Sequence, residues 1–284
     1  MRSMEFAWGK LLRISLALGV LGSLGGSTDA HAISNCRVGL VPGAFAPGTE
    51  GSGRWIRDED YFRTAREFFS AQGCEVFQFQ FPEDGSIEER GLMIRDQLQR
   101  RGVFSGRTLL LAHSQGGLDA RYALAALKVS GVNALVTVGT PHSGSRVAQW
   151  AHEQAEKRGL VARFLQVGFD YDLGALRFLG EMVPGFIDSH ASYFRLPSQV
   201  RGASARAVCR TQCFWLLRGL SWVFDLGPGD GLVEAESQRW GKDLGEFDLD
   251  HLSEVSVSRE KQVERERMLR SVWSWWQGLP HDRS

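Results

Sequence analysis

The stretch that most constrains this chain is Thr108-Leu109-Leu110-Leu111-Ala112-His113-Ser114-Gln115-Gly116-Gly117. An apolar run of strand length leads straight into Ala-x-Ser-x-Gly, and a helical pattern follows from about Leu118. A serine in that setting sits on a strained strand-to-helix turn, flanked by small residues because strand and helix crowd there. Ala112 stands where glycine is usual, and alanine is still small enough. The N-terminus of the following helix aims backbone N–H groups and a positive dipole end at the space beside the serine. This pattern marks Ser114 as a nucleophile; the plainer alternative is an ordinary turn residue.

The remaining chain supplies a sheet around that turn. Candidate strands are Arg37–Val41, Glu75–Gln80, Thr108–Ala112, Ala134–Gly139, Phe214–Leu217 and a late one near Leu244–Leu249. Helical faces lie between them: Tyr61, Phe62, Ala65, Phe68 and Phe69; then Ile87, Met93, Ile94 and Leu98; then Gly117 to Lys128. Near-continuous apolar strands alternating with helices predict a mostly parallel sheet with helices on both faces. Catalytic groups in such sheets gather beyond the carboxyl ends of the strands. Residues 145–208 break the rhythm, with no clear strand but with Trp150, Phe164, Leu165, Phe169, Leu173, Leu176, Phe178, Leu179 and Phe186. A last charged helix, Ser258 to Gln277, offers Met268, Leu269, Val272, Trp273 and Trp276 for docking on the body.

The N-terminus bears on where the protein works. Arg2, Lys10 and Arg13 form a positive segment, and Ile14 to Leu24 a short apolar one. Ala30-His31-Ala32 then reads as a cleavage site before Ile33, so residues 1–32 are expected to be a secretory signal peptide. The apolar stretch is broken by glycines and is too short for a comfortable membrane span; a retained anchor is the alternative. Export makes the four cysteines disulfide candidates, and four thiols allow three connectivities. Cys36 and Cys74 each open a candidate strand, which places them at one end of a parallel pair. Cys209 and Cys213 can pair across a tight turn but not along an extended strand. The chain has 33 basic and 33 acidic side chains with no long run of one sign. That balance argues against nucleic acid and against a polybasic membrane anchor.

A nucleophilic serine needs a base, and the base needs an orienting carboxylate. On this kind of fold the chain order is Ser, then Asp or Glu, then His. After Ser114 come His142, His152, His190, His251 and His281. His251 alone sits late in a loop between a candidate strand and the final helix. Gly229-Asp230-Gly231-Leu232-Val233 places a carboxylate in a glycine-flanked turn, with Asp225 as the nearer rival and Asp248 and Asp250 as weaker ones. An oxyanion also needs two preorganised N–H donors. Gln115 supplies one, and the loop Val41-Pro42-Gly43-Ala44-Phe45 the other. Proline has no N–H and Gly43 allows a close turn, so Ala44 is the candidate and Phe45 the reserve.

Taken together these motifs resemble the bacterial secreted triacylglycerol lipases of Pseudomonas and Burkholderia type, within the α/β-hydrolase superfamily. The resemblance is carried by Ala112–Gly117 with Ala120-Arg121-Tyr122, Gly139-Thr140-Pro141-His142-Ser143-Gly144-Ser145, Gly229–Val233, and His251-Leu252-Ser253-Glu254-Val255. It spans most of residues 36–257 and is strongest from 107 to 146. It implies an α/β-hydrolase fold over residues 33–284, with 145–208 as a helical cap carrying the lid. It also implies Ser114 as nucleophile, Asp230 as acid, His251 as base, and Ala44 with Gln115 as oxyanion donors. Three departures stand out. Pro42-Gly43 replaces His-Gly before the oxyanion residue, and the cysteine pattern differs. Ser253 and Val257 stand where that family has the Asp and Gln of a structural calcium site. Calcium needs several oxygen ligands, so no metal or other cofactor is expected. A dedicated secretion foldase remains an open partner.

These readings converge on a secreted or periplasmic serine ester hydrolase. The expected substrate is an uncharged ester or lipid at a lipid–water interface, and no transmembrane span is expected in the mature chain. Two alternatives keep the scaffold: a phospholipase or acyltransferase, whose acceptor is chosen by cap shape, and a catalytically silent binding protein.

Overall fold

The computed structural model describes residues 36–44, 61–81, 85–104, 106–157, 175–255 and 260–280. The expected signal peptide, Phe45, and the cap residues Phe164, Leu165, Phe169 and Leu173 lie outside the described residues. In chain order the elements are β1 (Arg37–Val41), α1 (Arg63–Ala71), β2 (Glu75–Gln78), α2 (Ile87–Arg100), β3 (Thr108–His113), α3 (Gln115–Ala125) and β4 (Ala134–Val138). There follow α4 (Arg146–Lys157), a 3-10 segment (Ala175–Met182), α5 (Phe186–Ser189), β5 (Arg201–Ala207), α6 (Trp215–Val223), α7 (Ala235–Gln238), β6 (Lys242–Phe247) and α8 (Gln262–Gln277).

Six strands form one sheet in the order β2-β1-β3-β4-β5-β6, and every ladder is parallel. Every residue of β3 and β4 is buried, as expected for central strands covered on both faces. On one face Phe69 of α1 and Met268, Leu269, Val272 and Trp276 of α8 pack against Val38, Leu40, Leu109, Leu111 and Val136. On the other, Ile94 and Leu98 of α2 and Ala120, Ala123 and Leu124 of α3 meet Val41, Leu110, Ala112 and Leu135. A third apolar cluster joins Ile87 and Leu118 to Ala148 and Ala155 of α4, Phe178, Leu179, Met182, Ile187 and Phe194. This cluster seats α4, the 3-10 segment and α5 of the 145–208 insertion on the α2–α3 layer, with Ala44 packed at its edge.

The structure corrects two strand assignments. Phe214–Leu217 is no strand; it leads into helix α6. A short apolar run does not distinguish the two states, and here Leu217 is the buried position while Trp215 and Trp222 face outward. The fifth strand is instead Arg201–Ala207, inside the insertion that showed no strand pattern. Its sequence RGASARA lacks β-branched and aromatic residues, yet Ala203 to Ala207 are buried because neighbours cover both faces.

Both cysteine pairs are disulfide-bonded. Cys36–Cys74 joins the starts of β1 and β2, where Arg37 lies in register with Glu75. Cys209–Cys213 closes a five-residue turn between β5 and α6. Among the described residues, no helix is long and apolar enough to cross a membrane.

Candidate active site

Ser114 sits between the end of β3 and the start of α3 with φ 55°, the left-handed region that non-glycine residues rarely occupy. Three contacts hold it in that strained conformation. Its N–H donates to the Val138 carbonyl at 2.9 Å, and its own carbonyl accepts from the Gly117 N–H at 3.1 Å and the Thr140 hydroxyl at 2.8 Å. The following glycines are required by space. A Cβ on Gly116 would press on the Val41 and Pro42 carbonyls, at 2.6 and 2.5 Å, and one on Gly117 would run into the Thr140 hydroxyl.

The structure brings Ser114, His251 and Asp230 together. His251 Nε2 lies 3.0 Å from Ser114 Oγ, and its Nδ1 lies 2.9 Å from Asp230 Oδ2. Asp230 is fully buried. Its Oδ1 accepts the N–H groups of Leu232 and Val233, each at 2.8 Å, and its Oδ2 accepts Gln238 Nε2 at 3.2 Å. The glycine-flanked turn read from the sequence is thus a loop that turns its own amides onto the carboxylate. Its main chain also accepts the His251 N–H at 3.0 Å, which ties the acid loop to the histidine loop.

The other candidates fall elsewhere. Asp225 is exposed in a turn and offers its carbonyl to Arg146. Asp250 accepts the N–H groups of Ser253 and Phe214, and Asp248 those of Arg210 and Thr211. His142 is buried between Thr137, Arg121 and the Trp240 ring. Burial lowers its pKa well below the ordinary histidine value, and the Arg121 charge adds to that. His152 lies beside Gly180, His190 is exposed, and His281 lies outside the described residues.

The loop after β1 approaches the serine closely. A Cβ on Gly43 would stand 2.7 Å from the Ser114 Cβ, so only glycine fits. The Gly43 N–H is taken by Tyr61 Oη at 3.1 Å, so the loop's next amide is that of Ala44. Gln115 is buried, and its side-chain amide donates to the Gly85 carbonyl at 2.9 Å, away from the serine. Arg90 of α2 was not singled out in the sequence. Its guanidinium donates to the Pro42 carbonyl at 2.5 Å and to the Gly43 carbonyl at 3.2 Å. It also pairs with Asp119 of α3 at 2.7 Å, both side chains being almost fully buried. Burial pushes the Asp119 carboxyl up to about 7, against the pull of Arg90.

Three further residues stand in the sequence only as members of a helical face or a motif, with no role of their own: Tyr61, His113 and Glu254. His113 could have been found, since it precedes the serine within a wholly buried strand; Tyr61 and Glu254 carry no local signal. His113 Nδ1 lies 2.6 Å from Tyr61 Oη, and its Nε2 lies 3.1 Å from the His251 carbonyl and 3.0 Å from Glu254 Oε2. Burial keeps the His113 pKa well below the ordinary value, with the neighbouring His251 adding to the effect. Burial raises the Glu254 carboxyl well above the usual range, and the adjoining Asp230 carboxylate raises it further.

His113, His251 and Glu254 form the one grouping of potential metal ligands among the described residues. His113 and His251 are already engaged in hydrogen bonds, and Glu254 Oε2 faces the His113 ring nitrogen at 3.0 Å. Of the two positions compared with the calcium site of the resembled lipases, Ser253 and Val257, the second lies outside the described residues. Ser253 spends its hydroxyl on Asp250 at 2.6 Å, and the nearby carboxylate, Asp248, already holds Lys261 Nζ at 3.1 Å. That ammonium is buried and also donates to the Thr211 carbonyl and hydroxyl at 2.6 and 3.1 Å.

No protein-family model matches the chain. It is 28% identical over 234 residues to "Triacylglycerol lipase 2" of Saccharomyces cerevisiae, covering 75% of this chain and 67% of that protein. A Burkholderia plantarii protein named triacylglycerol lipase is 28% identical over 152 residues, half of this chain and 41% of that one. A Pseudarthrobacter phenanthrenivorans protein of the same name is matched over 43% of its length. The chain therefore spans less than half of these two bacterial relatives. Among solved structures, the mature Bacillus licheniformis lipase BlEst2 aligns with a TM-score of 0.61 at 18% identity, covering 86% of this chain and 92% of that one. The Staphylococcus hyicus lipase aligns with a TM-score of 0.63 at 13% identity, covering 85% and 95%. Together with the parallel sheet, these likenesses show the α/β-hydrolase fold.

Proposed function

We propose that this chain is a serine carboxylic-ester hydrolase, and within that class a triacylglycerol lipase. One observation carries the reading: a single imidazole, His251, reaches Ser114 Oγ through one nitrogen and the buried Asp230 through the other. In this reading Ser114 attacks the ester carbonyl while His251 Nε2 takes its proton. Asp230 holds the Nδ1–H tautomer and stabilises the imidazolium. The tetrahedral oxyanion is met by the N–H groups of Gln115 and Ala44, and the protonated His251 then releases the alcohol. Water, activated by the same imidazole, hydrolyses the acyl-enzyme and frees the acid.

The lipase names of the curated relatives support the substrate class. Beside the site, Ala44 packs against a buried apolar cluster of Ile87, Leu118, Phe178, Met182 and Ile187. The proposal extends to export by a cleaved leader, residues 1–32, leaving the hydrolase domain at 33–284. Two disulfides and no free cysteine among the described residues suit an oxidising compartment.

The test is hydrolysis of p-nitrophenyl esters by the wild type and by Ser114→Ala. Loss of turnover in the variant with an unchanged thermal transition is expected. Turnover that survives the substitution overturns the assignment. Activity that climbs as a triglyceride emulsion forms places the enzyme among lipases; activity confined to dissolved esters places it among esterases.

A further inference from the structure

A run of buried hydrogen bonds passes behind the site, from the loop after β1 to the His251 carbonyl. It starts at the oxyanion loop, where the Gly43 N–H donates to Tyr61 Oη at 3.1 Å. Tyr61 Oη lies 2.6 Å from His113 Nδ1. His113 Nε2 faces two acceptors, the His251 carbonyl at 3.1 Å and Glu254 Oε2 at 3.0 Å. Glu254 is buried beside Asp230, and its carboxyl oxygens make no hydrogen bond of their own there. Tyr61, His113, Glu254 and Asp230 are all at least nine-tenths buried, so water cannot replace a missing partner.

The partners fix the protons of Tyr61 and His113. A carbonyl oxygen cannot donate, so His113 Nε2 must carry the hydrogen, and Nδ1 is left as an acceptor. Tyr61 therefore donates its O–H to Nδ1 and accepts the Gly43 N–H. The His113 ring also lies 4.7 Å from the His251 ring, centroid to centroid. His113 is thus joined covalently to the nucleophile, through Tyr61 to the oxyanion loop, and directly to the loop of the base.

We infer that Tyr61 and His113 are positioning residues: they lock the loop bearing the Ala44 N–H to the loop bearing His251, so that oxyanion donor and base keep one spacing about Ser114. The inference rests on the ester-hydrolase reading above. Oxyanion donors act on charge that develops in the transition state. A loosened clamp therefore lowers kcat and leaves KM nearly unchanged, whereas general loss of structure lowers the thermal transition and the active fraction instead. Tyr61→Phe removes one oxygen and keeps the ring that packs edge-on against Phe62.

The experiment measures kcat and KM for p-nitrophenyl butyrate, labelling rate by a fluorophosphonate, and thermal unfolding. It compares the wild type, Tyr61→Phe, His113→Leu and the double variant. Tyr61→Phe is expected to lower kcat and the labelling rate about tenfold or more, with KM within about threefold and cooperative unfolding retained. The double variant should fall no further than His113→Leu alone, because both changes cut the same chain. A Tyr61→Phe enzyme with kcat within twofold of wild type overturns the inference, as do effects that multiply in the double variant. If His113→Leu does not fold, Tyr61→Phe alone decides. A wild type that neither hydrolyses the ester nor takes the label would instead sink the ester-hydrolase reading.

Discussion

Gly43 and Ser114 are in contact through the faces that would carry side-chain bulk: a Cβ on Gly43 would lie 2.7 Å from the Ser114 Cβ and 3.2 Å from the His113 carbonyl. Both obstacles are rigid, one by its strained φ and the other by the sheet. Gly43→Ala must therefore push this loop outward, moving the Ala44 N–H proposed above as an oxyanion donor. Loss of one such donor costs on the order of 10² in turnover. Steady-state kinetics should show that fall mostly in kcat, with the thermal transition changed far less.

Arg90 and Asp119 separate folding from catalysis. Removing the guanidinium by Arg90→Met leaves a buried carboxyl without its partner and should cost about 3–5 kcal/mol in denaturant unfolding. Replacing both, Arg90→Met with Asp119→Leu, removes the unpaired charge and should restore much of that stability. It cannot restore the donors to the Pro42 and Gly43 carbonyls, so kcat should remain low in the double variant. Recovery of kcat together with stability would show that Arg90 does nothing for the loop.

Lys261 supplies a cation near the histidine loop from within the chain. Chelators should leave activity and thermal stability unchanged. Lys261→Met should lower stability by about 2 kcal/mol, the loss of hydrogen bonds made by a charged group. Burial would raise the Asp248 carboxyl, but the Thr211 hydroxyl, the Arg210 and Thr211 amides and Lys261 hold it below its ordinary value. A wild-type enzyme that melts earlier in EDTA would contradict this account.

Glu254 makes stability depend on pH in a stated direction. Its folded value lies above the unfolded value of 4.5, so the folded chain keeps a proton that the unfolded chain has already released. The stability it contributes is complete below about pH 4.5 and is lost as pH rises through the folded value. Glu254→Gln carries no such proton. Its melting temperature should decline less steeply than that of the wild type as pH rises above about 4.5, and parallel profiles would refute the argument.

What could be read from the chain, and what could not, follows from how locally each feature is encoded. The turn at Ser114 and the glycine-flanked turn at Asp230 are dictated by neighbours within five residues, so a linear pattern finds them. His251 was found by elimination along the chain order. Strand β5 was missed because Gly202, Ala203 and Ser204 carry no strand preference and are extended only through their flanking strands β4 and β6. Arg90, Tyr61 and Glu254 face partners far along the chain: Tyr61 meets Gly43, 18 residues away, Arg90 meets Pro42, 48 away, and Glu254 meets His113, 141 away. No spacing rule points to such pairs.

The Cys36–Cys74 bond encloses the segment that carries Pro42, Gly43, Ala44 and Tyr61. A protease that cuts once between Ala44 and Tyr61 therefore produces two pieces that stay attached, each end anchored in its own strand. The nicked molecule would migrate as a single band until a reductant is added, and only then release the fragment that bears the nucleophile.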